Sequence, residues 1–281
     1  MTTRKIQQII PGMPASDGAG VKLIRSLGSA NHLRLDPFLM LDAFSSENPD
    51  DYVAGFPSHP HRGFETVTYL LDGHMLHEDH LGNKGNLKSG GVQWMTAGRG
   101  IIHSEMPQQE NGRMRGFQLW LNLPAKEKMK PAGYRDIQPG EIPNVSFPGG
   151  SLKIVAGTYE GTSGPVQGGS TDPIYWDIAL SPKGIFSSEI KNFHSVYLYP
   201  FEGSIEVADR MLKTHQGGVL GSGDKVEIKA GADGARFLLL AGKPIGEPIV
   251  QYGPFVMNTR AEIEQAIRDY QNGVLAEAAV V

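Results

Sequence analysis

The chain contains no cysteine among its 281 residues. That removes disulfides, thiolate metal ligands and a cysteine nucleophile in one step. It also has no apolar run near the ~20 residues that a membrane-spanning helix needs. Its opening stretch, MTTRKIQQIIPGMPASDG, has basic residues at Arg4 and Lys5, but the apolar part is short and is broken by Pro11. A secretory signal needs a longer hydrophobic segment than that. An excess of positive charge is missing as well, since the formal net charge is −4, and so no basic footprint for nucleic acid runs through the chain. These absences predict a cytoplasmic protein with no direct nucleic-acid partner and no membrane association.

What the chain has in quantity is glycine and proline, 36 and 19 residues spread along its length. Spread in this way they mark tight turns between short strands, which is the texture of an all-β architecture. The length allows two domains, each able to bury a core. Residues 66–70 alternate β-branched and larger apolar side chains and end at the turn dipeptide Asp72-Gly73, while residues 116–123 alternate with period two. Residues 124–143 lose that periodicity and read as a linker. A second strand-rich block follows. The expected division is a first domain at 1–135, a second at 144–258 and a helical tail at 259–281. In the tail, Thr259 and Glu262 form a capping-box pattern, Ile263, Ala266, Ile267 and Tyr270 share one helical face, and Gly273 is a plausible stop.

Two short motifs carry the chemistry. In a strand, residues two apart point to the same face. His59 and His61 therefore project together, and so do His103 and Glu105. If the two strands neighbour each other inside one barrel, three imidazoles and one carboxylate converge. Each pair alone is compatible with ordinary buried or surface histidines; the combination, in glycine-rich strand-turn contexts, points to a metal. Nitrogen and oxygen donors without thiolate suit iron(II), manganese, nickel, cobalt, copper or zinc, and open positions beside the ligands would admit water, dioxygen or substrate. His74, His77 and His80 fall in one polar hairpin and read as ordinary hairpin residues, and His32 as a surface or turn residue. The second block offers only His194 and His215, too few for a metal.

Longer stretches make the sequence recognisable. Residues 35–42, the run His59-Pro60-His61-Arg62-Gly63-Phe64-Glu65, residues 93–107 around His103 and Glu105, and the tail Gly253-Pro254-Phe255-Val256-Met257-Asn258-Thr259 all resemble the pirin family of bicupins. The resemblance implies two cupin (jelly-roll β-barrel) domains packed face to face, with a C-terminal helix and one divalent metal, often iron, in the first barrel only. It implies His59, His61, His103 and Glu105 as ligands. Glu65 lies where many other cupins place a metal carboxylate, and it is read here as a supporting residue instead. The implied activity is that of a quercetin 2,3-dioxygenase, acting on a flavonol or other small aromatic substrate with dioxygen, with Glu105 as ligand and general base. The alternative is a metal-dependent regulator that binds a protein partner, either a transcription factor or a metabolic enzyme.

Overall fold

Period-two alternation and frequent turn residues produce short antiparallel strands almost throughout, joined at positions where the backbone must take a left-handed conformation. The structure is a computed structural model that describes residues 1–30, 33–109 and 111–277; His32 lies outside the described residues. The chain divides into two units, one formed by residues 14–24, 39–139 and 245–281, the other by residues 1–13, 25–38 and 140–244.

The first unit holds a seven-stranded and a four-stranded sheet. In the larger one, Phe64–Asp72 pairs on one side with Val92–Thr96 and on the other with Met114–Asn122. In the smaller one, Ile101–Pro107 lies between Phe56–His61 and His74–Asp79. Its apolar core includes Leu39, Phe64, Trp120 and Val256 in one cluster and Leu23, Phe44, Leu70 and Met114 in another. Residues 124–143, read from the sequence as a linker, are built into this unit up to residue 139. Gly133–Ile137 pairs antiparallel with Val92–Thr96 as the edge of the seven-stranded sheet. An edge strand pairs on one side only, tolerates nearby glycine and proline, and leaves a weak periodic signal.

The second unit is a nine-stranded antiparallel sheet wrapped on an apolar core that includes Ile154, Trp176, Leu198, Ile205, Ile228 and Phe237. Ile6–Pro11 joins it by pairing with Gln216–Leu220. The chain ends thus depart from the consecutive division at 1–135, 144–258 and 259–281: the first strand belongs to the second unit, and everything after residue 244 belongs to the first. Thr259 caps the helix Arg260–Gln271 with the full reciprocal box, and Gly273 follows in a left-handed conformation. Ile263 and Ala266 are buried as their spacing requires, whereas Tyr270 is exposed, its ring edge-on to Phe255. Among the described residues no helix is long and apolar enough to cross a membrane.

Candidate metal centre

The two histidine-bearing strands are direct neighbours. Phe56–His61 pairs antiparallel with Ile101–Pro107 so that His59 stands opposite His103 and Ile101 opposite His61. The register shifts between His103 and Glu105, where Glu105 pairs with Phe56. One extra residue on the His59 strand makes a β-bulge there, a device that re-aims side chains beside a site. Beyond His61 the chain turns at Gly63, whose positive φ and close approach to the Val256 carbonyl exclude a side chain. Gly63 N–H donates to the Gly98 carbonyl at 2.8 Å, joining the turn after His61 to the turn that leads into the His103 strand.

These constraints bring His59, His61 and His103 together, each offering one nitrogen within 4.8 Å of the others. His59 Nδ1 lies 2.8 Å from the Pro57 carbonyl, which can only accept, so this nitrogen carries the proton and Nε2 keeps its lone pair. That Nε2 is 3.0 Å from His61 Nε2. His103 Nε2 is buried and has no hydrogen-bond partner. Buried polar atoms are nearly always satisfied, and a nitrogen facing two other imidazoles without a partner fits a metal-binding cluster. Burial holds the His61 and His103 rings well below the usual imidazole range, and the neighbouring imidazoles push in the same direction. Both rings are therefore neutral near pH 7, the form that binds a metal. Phe64 and Trp120 pack edge-on against the His61 ring at centroid distances of 5.1 and 5.3 Å, forming an apolar wall.

Glu105 is buried on the same strand, and both its oxygens are engaged. Thr68 Oγ1 donates to Oε1 at 3.0 Å and Gln118 Nε2 donates to Oε2 at 2.9 Å. Gln118 is oriented in turn by Trp120 Nε1, which donates to its amide oxygen at 3.3 Å. The three histidines form the tight cluster, and Glu105 is held beside it by these donors. Glu65 is occupied by Thr96 Oγ1 at 2.6 Å, Trp94 Nε1 at 3.1 Å and Lys130 Nζ at 3.5 Å.

Sequence reasoning missed Thr68 and Gln118, and it misplaced His77. The hairpin strand His74–Asp79 alternates so that Met75 and His77 are buried while His74 bonds Asn86 at the surface. His77 stands opposite Glu105 in the sheet, its Nδ1 3.4 Å from His103 Nδ1. The parity of Met75 and His77 was the available signal. In the second unit, His194 pairs with Asp172 at 3.3 Å and His215 with the Tyr199 hydroxyl at 3.0 Å.

Comparison with known proteins finds relatives over nearly the whole chain. A family profile described as Pirin matches residues 20–121, and one described as Pirin C-terminal cupin domain matches residues 175–276. A Pseudomonas aeruginosa protein named "Putative quercetin 2,3-dioxygenase" is 55% identical, with 97% of this chain and 98% of that protein covered. A pirin-like protein of Caulobacter vibrioides is 49% identical, with 97% and 99% covered. The crystal structure of a quercetin 2,3-dioxygenase from Acinetobacter baumannii superposes with a TM-score of 0.91 at 34% identity, covering 98% of this chain and 99% of that one. The fold is all-β, with two cupin domains and one C-terminal helix.

Proposed function

This chain belongs to the pirin family, and we propose that it is a metal-dependent dioxygenase that opens the heterocyclic ring of quercetin-like flavonols. The observation that carries this reading is the convergence of three imidazole nitrogens within 4.8 Å, with His103 Nε2 buried and unpartnered. The names of the similar proteins from Pseudomonas aeruginosa and Acinetobacter baumannii support the substrate class. In this reading His59, His61 and His103 hold one divalent first-row ion, with iron(II) favoured, and Glu105 completes the set. When bound, the ion acidifies the flavonol 3-hydroxyl and gives substrate and dioxygen a common meeting point.

The remaining work falls to side chains of this chain. Burial keeps His61 and His103 neutral, so their lone pairs are available near pH 7. Glu105, oriented by Thr68 and Gln118, takes the proton of the 3-hydroxyl. Phe64 and Trp120 limit water at the His61 side. Overall, one flavonol and one dioxygen give a ring-opened ester (a depside) and carbon monoxide, with both oxygen atoms retained in the products.

The test is loss of the flavonol absorption band under air with protein loaded in turn with iron(II), nickel, manganese, cobalt and copper. Turnover by one or more loaded forms is expected. His59→Ala is expected to abolish it, and Glu105→Gln to lower it by ~100-fold or more, in line with loss of a general base. Absence of turnover with every metal, in protein that binds them, would overturn the dioxygenase reading.

A further inference from the structure

Among the hairpin histidines His74, His77 and His80, the fold buries His77 alone, and it does so against a candidate metal ligand. We propose that His77 is a positioning residue for the metal centre: it accepts the Nδ1 proton of His103 and thereby holds His103 in the tautomer whose Nε2 lone pair faces the ion. The proposal rests on the reading of His103 as a ligand.

The sheet register places the pair. Ile101–Pro107 and His74–Asp79 run antiparallel with Glu105 opposite His77 and His103 opposite Asp79, so the two imidazoles lie diagonally on one face. Their ring centroids are 4.9 Å apart and their Nδ1 atoms 3.4 Å apart. A neutral imidazole carries one N–H and one lone pair, so only one ring can donate across this contact. The far nitrogens, His103 Nε2 and His77 Nε2, are both buried without a hydrogen-bond partner, so the choice of donor follows from ligation: a His103 that gives its Nε2 lone pair to an ion keeps its proton on Nδ1. With the proton on Nδ1, His77 satisfies it, and the Nε2 lone pair points to where His59 and His61 bring theirs.

The surroundings of His77 fix its ring in place. Gln93 Nε2 donates to Asp136 Oδ1 at 2.8 Å, which leaves the amide oxygen as the end able to accept. The Tyr134 ring lies 4.7 Å from the His77 ring and sets its plane. The Tyr134 ring and the sheet register therefore hold the His77 ring against the candidate ligand.

The test has two parts. In 15N-labelled, metal-free protein, long-range 1H–15N correlation of the imidazoles reads the tautomer directly, and His103 is expected to carry its proton on Nδ1. Zinc(II) affinity is then measured by competition with a chromophoric chelator for wild type, His77→Asn and His77→Leu, with circular dichroism as the check on folding. Asparagine places an amide oxygen near the position of Nδ1, and leucine of similar size offers no acceptor. His77→Leu is expected to bind zinc ~10–100-fold more weakly and to show mixed His103 tautomers. His77→Asn is expected to stay within a few-fold of wild type. Wild-type His103 protonated on Nε2 would overturn the proposal even if the variants failed to fold, and so would unchanged zinc affinity in folded His77→Leu. Failure of wild-type protein to bind zinc would instead overturn the metal centre itself.

Discussion

At the scale of single residues, the interior of the first unit spends its few buried charges on holding backbone in place. Lys128 is almost wholly buried, and its amine donates to the Gly63 carbonyl at 2.7 Å, Asn122 Oδ1 at 2.7 Å and the Val256 carbonyl at 3.0 Å. Burial pulls its pKa down to about 8, so at pH 7 it remains a three-donor ammonium facing three acceptors. Gly63 is two residues beyond His61, and the contact fixes where the His59 strand ends. Lys128→Met keeps the stem and strands three acceptors. The expected cost is ~2–4 kcal/mol, on the scale of losing several hydrogen bonds to a charged group, read by urea unfolding of metal-free protein.

Elements act through their ends. The helix Arg260–Gln271 reaches the turn after His61 through an ion pair, Asp269 Oδ2 to Arg62 Nη1 at 2.6 Å. Arg62 sits between His61 and Gly63 and also donates to the Arg99 and Leu275 carbonyls. The tail helix read from the capping box is therefore fastened to the residue next to a candidate ligand. Asp269→Asn keeps the shape and removes the charge. It should cost ~1.5–3 kcal/mol, the range for a hydrogen bond to a charged group, measured as a lower urea midpoint with an unchanged denaturant slope. The strand elements behave similarly. The bulge opposite Glu105 and the turn at Gly63 decide which way the candidate ligands face, and neither shows in the alternation of the sequence.

Over the whole molecule, each unit is assembled from chain segments far apart in sequence. The first unit needs residues 245–281: Val256 completes a core cluster with Leu39, Phe64 and Trp120, and Leu275 packs with Phe255, Met257 and Ile263. A chain ended at residue 244 keeps His59, His61, His103 and Glu105 yet loses these packing partners, the Leu275 carbonyl that Arg62 donates to and the Val256 carbonyl that Lys128 donates to. It is expected to bind less than one-tenth of the wild-type amount of zinc per chain, read by elemental analysis after desalting, in line with a loss of several kcal/mol of buried apolar area. Retention of full metal stoichiometry would show that the first barrel holds its site without the tail.

The amino-acid order by itself determined what depends on neighbours along the chain. Alternation gave the β class, one residue between His59 and His61 put both on one side of a strand, and Thr259 with Glu262 fixed the helix start. The long motifs around His103 and the 253–259 tail identified the family. Only the tertiary structure decided what depends on register and long-range closure. It set His59 opposite His103, turned His77 inward, supplied Thr68 and Gln118 to Glu105, and returned residues 245–281 to the first unit. Side-chain parity is a local property of the backbone, whereas the choice of pairing partner is made by burial summed over the whole sheet, and no short stretch of sequence contains that sum.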